Sequence, residues 1–178
     1  MLFLEKMKGS GQSPPRVSLV EVCWSWVGSF LGIAAVALLH YRLVDEKGLL
    51  MLIGSFGASA VLIYGAVRSP LAQPRNLLGG HILSAFIGVT AYLWFGGQPW
   101  LAAALAVATS IALMHLTKTL HPPGGATALI AVIGGESVHN LGYLYVFMPV
   151  ALGAAVMLLV ALIVNNIPKT RKYPEFWL

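Results

Sequence analysis

The sequence predicts an all-α polytopic membrane protein, and three observations support this fold class. Of its 178 residues, 58% are hydrophobic and only 10% are charged, whereas soluble domains carry about a quarter charged residues. Long apolar runs recur along the chain, and about 20 such residues cross the hydrocarbon core of a bilayer. Two further apolar segments are broken by glycine or proline. We therefore expect four full spans plus two short or re-entrant segments, arranged as two inverted repeats of span, short helix, span.

The first repeat covers about 20–96. It begins with a span at 22–41 and ends with a span at 79–95. The run between them, 49–67, contains Gly-Ser-Phe-Gly-Ala-Ser-Ala at 54–60. Glycines beside hydroxyl side chains weaken an α-helix, so this middle segment is predicted to be broken or re-entrant.

The second repeat covers about 98–166 and follows the same order. A span at 100–118 leads into His-Pro-Pro-Gly-Gly at 121–125, and a final span occupies 142–164. Because proline lacks an N–H and fixes φ at about −65°, a helix must end before the prolines and a new one can begin on them. The new helix is expected to be short, since its apolar run ends at Ile133.

A short sequence match indicates that the two halves are related. Gly-Ala-Ser-Ala at 57–60 aligns with Gly-Ala-Thr-Ala at 125–128, 68 residues further on. Three crossing elements in each half invert the second half relative to the first, and such repeats build the sites of many secondary transporters. We predict a single transmembrane domain at 18–167, a flexible arm at 1–17 and an interfacial tail at 168–178.

The charge distribution favours six crossings with both termini in the cytoplasm. The formal net charge is +5, and the cations lie at helix ends and tails, where they orient a protein in the bilayer. Arg68, Arg75 and Lys118 then lie inside, while the 42–48 connector and the Glu136 loop lie outside. We expect an integral protein of a bacterial-type inner membrane with no cleavable signal peptide. This pattern does not indicate binding to nucleic acid.

The two short helices suggest how a substrate could bind. A helix N-terminus carries a partial positive charge and free N–H groups, which suit an anion. Helices that begin near the midplane from opposite leaflets would aim these groups at one spot, and the glycines are expected to leave the N–H groups bare. The predicted substrate-binding residues are Ser55, Phe56, Gly57, Ala58, Ser59, His121, Pro122, Gly124, Gly125, Ala126 and Thr127.

Further polar side chains are candidates for the pathway and its vestibule. They are Arg75, Asn76, His81, His115 and Lys118. Polar groups in apolar spans usually face the bundle interior, and clustered cations attract anions. Two alternative interpretations stay open: the cations only set the topology, and the histidine at the helix break only satisfies freed carbonyls. No cysteine or carboxylate joins the histidines at ligand-like spacing, so we expect no metal and no cofactor.

Several segments together resemble the HPP family of integral membrane proteins. They are 54–60, Ser-Pro-Leu-Ala-Gln-Pro-Arg-Asn at 69–76, Gly-Gly-His at 79–81, His-Pro-Pro-Gly-Gly-Ala-Thr-Ala at 121–128 and Tyr-Pro at 173–174. Plant-plastid and cyanobacterial members are associated with nitrite transport, so the resemblance implies nitrite as the leading substrate. Many members are described with four membrane helices, fewer than the six crossings expected here. Some carry a soluble regulatory domain, which we do not expect in this chain.

The leading hypothesis is a channel or transporter for a small anion in a lipid bilayer, and not an enzyme. One alternative is a membrane-embedded enzyme that uses His121 as an acid or base, although the apolar segments offer no second clear catalytic partner. Another is a structural subunit without a substrate. A homo-oligomer is compatible with each of these functions.

Overall fold

The computed structural model describes residues 3–7, 11–43 and 51–178. Within these ranges the chain forms helices and no strands, which confirms the all-α polytopic fold. Much of the predicted 42–48 connector and part of the 1–17 arm lie outside the described residues. The helices are α1 (Leu19–Leu43), α2 (Ser55–Gly65), α3 (Pro74–Phe95), α4 (Pro99–Leu116), α5 (Pro122–Ile133), α6 (Glu136–His139) and α7 (Val146–Val164), with single 3₁₀ turns at Phe3–Met7 and Pro70–Ala72.

Four of these helices, α1, α3, α4 and α7, are long and apolar enough to cross a membrane. The apolar helices α2 and α5 are shorter, and α5 has 12 residues. At about 1.5 Å per residue, a helix of this length covers roughly half of the hydrocarbon core. The predicted combination of four long spans and two short helices is therefore confirmed.

Proline sets the start of several helices. Pro74, Pro99 and Pro122 each lie in the first turn of α3, α4 and α5, where no N–H is needed and the fixed φ suits a helix. The first turns of α7, Val146–Ala151, are kinked at Met148, whose φ of −138° and ψ of 115° are not helical, immediately before Pro149. Proline lacks an N–H and disfavours a helical conformation in the residue before it.

The packing of the helices follows the two predicted repeats. α1 packs on α2 and α7, and α4 correspondingly packs on α5 and α3. α2 contacts α5, and α3 contacts α7. A pseudo-twofold axis that relates α1, α2 and α3 to α4, α5 and α7 would produce these pairs. The domain limits given from the sequence stay a prediction.

Small residues let α3 and α5 approach closely. A Cβ atom on Gly124 would lie 2.8 Å from both the Gly80 carbonyl oxygen and the Ser84 Oγ. One on Gly88 would lie 2.5 Å from the Ala128 carbonyl oxygen. Side chains at these positions would force the two helices apart, so glycine is a steric requirement of the contact.

Glycines on α1 make room for an aromatic ring of α2. A Cβ on Gly28 would lie 2.7 Å from Tyr64 Cδ1, and one on Gly32 would overlap the Tyr64 hydroxyl. This hydroxyl is buried and donates to the Met157 carbonyl of α7 over 3.0 Å. The Gly-x-x-x-Gly spacing of α1 therefore serves a contact within the chain.

The start of α1 and the C-terminal tail meet at one end of the bundle. Arg171 forms an ion pair with Glu21, with 2.7 Å between Nε and Oε2. Its guanidinium also donates to the Glu21 and Tyr64 carbonyls, to Ser25 Oγ and to Asn165 Oδ1. The buried Arg171 thus joins the tail to α1 and to the end of α2.

The tail is partly buried and partly exposed. The Tyr173 hydroxyl donates to the Ala72 carbonyl over 2.8 Å, and burial raises the pKa of this phenol above its ordinary value. The hydroxyl therefore keeps its proton near neutral pH. Phe176 and Trp177 remain exposed, as aromatic residues at a membrane interface do.

Replacing Gly124 by alanine is expected to destabilise the protein, because the new methyl group meets the Gly80 backbone at the α3–α5 contact. Overpacking of this kind costs about 1–3 kcal/mol. Gly125→Ala is the matched control, since the nearest atom to a Cβ there is Val107 Cγ1 at 3.8 Å. Thermal unfolding in detergent measures both, and equal midpoints would contradict the steric role of Gly124.

Arg171→Gln is expected to lower the free energy of unfolding by roughly 2 kcal/mol, because charge-assisted hydrogen bonds are lost. The loss is smaller than for a fully buried ion pair, since the Glu21 side chain is 29% exposed. Lys169→Gln makes the same charge change at an exposed position. Equal shifts of the unfolding midpoint by the two substitutions would show that the lost positive charge, and not the lost hydrogen bonds of Arg171, lowers the stability.

Candidate functional site

Polar side chains from three parts of the chain meet inside the bundle, and each is at most 1% exposed. We call them the polar cluster: Ser55 and Ser59 of α2, His81 of α3, His121 immediately before α5, and Thr127 of α5. Burying polar groups in a membrane bundle is costly, and they usually mark a functional site. All of these residues are among the site candidates from the sequence, His81 as a pathway residue and the others as substrate-binding residues.

Ser59 bridges the two histidines. Its Oγ lies 2.7 Å from His81 Nε2 and 2.9 Å from His121 Nε2, and the ring centroids are 4.9 Å apart. His121 Nδ1 donates to the Leu71 carbonyl over 2.8 Å, since a carbonyl oxygen can only accept. His121 therefore satisfies a carbonyl, as the alternative interpretation expects, and also takes part in the polar cluster.

Thr127 links His81 to the start of α2. Its Oγ1 lies 2.7 Å from His81 Nδ1 and donates to Ser55 Oγ over 2.8 Å. Ser55, at the start of α2, contacts Thr127 within α5, whereas Ser59 further along α2 contacts His121 before α5. Because the order of contacts is reversed, α2 and α5 cross antiparallel with their beginnings side by side.

Neighbouring residues hold the polar cluster in place. The Phe56 ring packs edge-on against His81, with centroids 5.5 Å apart, and Gly153 of α7 leaves the space that this ring occupies. The Tyr145 hydroxyl donates to the Thr127 carbonyl over 3.1 Å. Phe56, a candidate for substrate binding, thus supports the His81 imidazole by packing against it.

The helix beginnings do not present the bare N–H groups expected from the sequence. The Gly57 N–H donates to the Gly54 carbonyl over 3.2 Å, and the Gly124 N–H donates to the His121 carbonyl over 2.8 Å. The two prolines before Gly124 have no N–H to offer. At Gly57 and Gly124 the expectation was wrong, because first-turn hydrogen bonds occupy these donors. Any anion at this position meets side-chain donors instead.

The remaining predicted substrate-binding residues lie outside the polar cluster. Gly57, Ala58 and Pro122 are exposed on the outside of the bundle. Gly125 and Ala126 line a groove between α4 and α5. These residues lie on the sides of α2 and α5 that face away from the polar cluster.

Two predicted pathway residues join the start of α3 to the segment after α4. Arg75 Nη2 donates to the Thr117 carbonyl, and Asn76 Nδ2 donates to the Leu120 carbonyl, each over 2.8 Å. Asn76 thereby holds the residue that precedes His121. This contact fixes the backbone beside the polar cluster.

Lys118 and His115 belong to the end of α4. The Thr119 N–H donates to the Met114 carbonyl over 2.9 Å and the Lys118 N–H to the His115 carbonyl over 3.2 Å, with Lys118 at φ 57°. This Schellman motif ends the helix. Both side chains are exposed, so His115 lies apart from the two clustered histidines.

In the described ranges no three or more His, Cys, Asp or Glu side chains form a possible metal site.

The polar cluster is closed. Cavities of about 450, 300 and 580 Å³ lie beside the tail, between α3 and α4, and between α4 and α5, and no residue of the polar cluster lines them. His81 is the eighth of the 22 residues of α3, which places it about 10 Å along the helix axis. The polar cluster is therefore nearer to the middle of α3 than to either end of the helix.

Comparison with known proteins establishes the family. The HPP, transmembrane region, family matches residues 14–174. The chain belongs to the HPP transmembrane family. Two transmembrane proteins of Dictyostelium discoideum are 54% identical over 178 residues and 48% identical over 180 residues. Each match covers 98% of this chain but 57% and 63% of the relatives, so the chain spans less than two thirds of their length. No solved structure matches.

Sequence reasoning missed two contributors to the site of this HPP protein. Leu71 supplies a backbone carbonyl to His121, and Tyr145 supplies a hydroxyl to the Thr127 carbonyl. A backbone contact leaves no trace in residue type. Tyr145 is indistinguishable by sequence from an interfacial aromatic residue, and no signal could have identified either role.

Ser59→Ala is expected to destabilise this HPP protein, because two buried imidazole nitrogens lose their shared partner. An unsatisfied buried polar group costs about 1–3 kcal/mol. Ser110→Ala is the matched control, since Ser110 Oγ is buried and has no hydrogen-bond partner. Thermal unfolding should shift downward only for Ser59→Ala, and equal effects would mean that the bridge contributes nothing to stability.

Proposed function

We propose that this HPP-family chain is a membrane transporter or channel for a small inorganic anion, with nitrite as the leading substrate. The observation that carries the proposal is the polar cluster, in which the beginnings of two short helices meet antiparallel inside the bundle. Interrupted helices of this kind form the substrate sites of many secondary transporters. Ionisable side chains within membrane segments mark substrate or ion pathways.

Cations at one end of the bundle favour an anion as the substrate. Arg68 donates to the Thr170 carbonyl over 3.1 Å, and Arg75 donates to the Thr117 carbonyl over 2.8 Å. These contacts connect the turn after α2, the tail, and the segment that follows α4, where Lys118 is exposed. A positive surface at a pathway entrance raises the local concentration of anions.

The donors of the polar cluster suit a small monovalent anion such as nitrite. They are imidazole N–H and hydroxyl O–H groups, and no Lys or Arg of the described chain is hydrogen-bonded to them. Such neutral donors bind an anion weakly enough for release, which conduction requires. The preference for nitrite over nitrate, formate or a halide rests on the family resemblance.

Transport requires the polar cluster to open. Ser59 Oγ occupies the space between His81 Nε2 and His121 Nε2, so an anion must exchange these hydrogen bonds for its own. We assign the movement to α2, because its final π-helical turn, Val61–Gly65, departs from regular helix geometry. Such π-helical turns are frequent at functional sites.

The cationic end is assigned to the cytoplasm by the positive-inside tendency. The contact between Glu21 and Arg171 puts the start of α1 and the tail at this same end. Both termini are then cytoplasmic, with an even number of crossings between them. The bacterial-type inner membrane and a homo-oligomer stay predictions.

A second candidate function is hydrolysis by a serine–histidine pair. Ser59 Oγ lies 2.9 Å from His121 Nε2, and the Leu71 carbonyl orients that imidazole, an arrangement in which histidine can activate a hydroxyl nucleophile. Ser59 is fully buried, and the nearby N–H groups of Gly57 and Gly124 are already bonded. These two N–H groups are thus not free to stabilise an oxyanion, which favours transport. Labelling of Ser59 by a fluorophosphonate would reverse this preference.

Liposomes that contain the purified protein are expected to take up nitrite faster than protein-free vesicles. His121→Ala should reduce uptake to the protein-free level, because it removes an imidazole from the polar cluster. Gln98→Ala, in the exposed turn between α3 and α4, should leave uptake unchanged. Thermal unfolding verifies that each variant is folded.

If the wild-type protein moves no nitrite, nitrate, formate or chloride above protein-free vesicles, the transport function is rejected. If the wild-type protein produces no flux and His121→Ala changes only its stability, the structural-subunit alternative is favoured instead.

A further inference from the structure

The hydrogen bonds of the polar cluster form one continuous chain through the bundle, and each link is 2.7–2.9 Å long. Its members, in order, are the Leu71 carbonyl, His121, Ser59, His81, Thr127 and Ser55. We propose that this chain is a proton relay, which binds one proton beyond the neutral state of its two imidazoles and moves it together with each anion. The inference rests on the proposed transport function and names its coupling ion.

The first part of the relay fixes two ring protons. The Leu71 carbonyl only accepts, so His121 Nδ1 carries a proton. Ser59 has a single hydroxyl proton and lies between two Nε2 atoms. It can donate to one imidazole and must accept from the other. One of the two Nε2 atoms, on His81 or on His121, therefore carries a proton.

The second part of the relay sets a third ring proton. Thr127 has one hydroxyl proton, which is shared between Ser55 Oγ at 2.8 Å and the Pro123 carbonyl at 3.3 Å, so its Oγ1 accepts from His81 Nδ1. All links are made when the two imidazoles hold three N–H protons, one more than two neutral rings carry. When Thr127 turns its hydroxyl towards His81, the ring protons fall to two. The relay therefore has two states that differ by one proton.

The excess proton can cross from one imidazole to the other through Ser59. The N–H bond at His81 Nε2 breaks as an O–H bond forms on Ser59. At the same time the original Ser59 O–H bond breaks as an N–H bond forms at His121 Nε2. Ser59 keeps one proton, and the positive charge moves from His81 to His121. Both links have ordinary hydrogen-bond lengths, so neither ring has to move.

Few other titratable groups face the relay. Tyr145, just before α7, donates its hydroxyl to the Thr127 carbonyl. Asn76 of α3, which is neutral, donates to the Leu120 carbonyl, and the Arg75 guanidinium donates to Thr117 at the end of the bundle. From α2, α4, α5 and α7, no described Lys, Arg, Asp or Glu is hydrogen-bonded to the relay. The charge of the site therefore changes with the excess proton itself.

A proton on the relay and a monovalent anion beside it form a neutral pair. Either charge alone is costly in a low-dielectric interior, so the proton favours binding of the anion and the anion favours binding of the proton to the same extent. The polar cluster is closed, so the proton enters and leaves when the cluster opens for the anion. We therefore expect electroneutral symport of one anion with one proton.

Proteoliposomes distinguish symport from movement of the anion alone. Vesicles that contain the wild-type protein and a trapped pH-sensitive dye receive an inward nitrite gradient while potassium and valinomycin set the membrane potential. The relay predicts internal acidification together with nitrite uptake, at a rate that does not depend on the potential. Protein-free vesicles correct for nitrous acid that crosses the lipid unaided.

Substitutions locate the effect in the relay. Ser59→Ala and the isosteric Thr127→Val should each lower nitrite-driven proton uptake roughly tenfold or more, because each removes a proton-transferring hydroxyl. Ser110→Ala removes a buried hydroxyl of α4 that has no hydrogen-bond partner and should match the wild-type protein. Thermal unfolding confirms that the variants compared are folded, and a single folded variant of the two suffices.

Each outcome decides between the proposals. Nitrite uptake that follows the membrane potential without acidification overturns the relay and leaves transport standing. If the wild-type protein moves no nitrite, the transport function fails, and ¹⁵N NMR of its histidines decides the relay alone. The relay predicts that lowering the pH adds one proton to the His81–His121 pair, shared between the two Nε2 atoms. Rings that both stay neutral at every pH at which the protein is folded overturn it.

Discussion

The Ser59 hydroxyl, held 2.7 Å from His81 Nε2 and 2.9 Å from His121 Nε2, is the contact on which the arrangement of the bundle depends. It joins α2, α3 and the start of α5 at one place. Inside a membrane bundle little water is available to replace a lost partner, so buried polar groups must satisfy one another. The position of α2 is therefore set by hydrogen bonding as well as by apolar packing.

Close packing makes this hydrogen bonding possible. Serine and threonine side chains are short, and they reach the imidazoles only because α3 and α5 approach at Gly80 and Gly124. The far end of α2 is held in a similar way. The Tyr64 ring fills the space left by glycines of α1, and Arg171 of the tail donates to the Tyr64 carbonyl. In this closed arrangement the short helix is thus held at both ends, although it is too short to span a bilayer by itself.

Much of the candidate site could be predicted from residue types and from the internal repeat. Ser59, His121 and Thr127 were placed together because each lies at the start of a short apolar helix. What could not be predicted was the direction in which each residue faces. Gly57 lies on the outside of the bundle while Ser59 lies within it, and the rotation of α2 that separates them depends on the helices packed around it. The N–H groups of Gly57 and Gly124, which were expected to bind an anion, are bonded instead, because these donors find partners within their own turn.

The sequence by itself determined the membrane fold, the order of long and short helices, and the breaks between them. It could do so because hydropathy, proline and glycine act through lipid solvation and the local backbone, over distances of a few residues. Only the tertiary structure decided that Ser59 lies between two imidazoles, that the polar cluster is closed, and that Arg171 is buried against α1. These contacts join residues that are 22 to 150 positions apart. They depend on steric fit between whole helices, which no local pattern encodes.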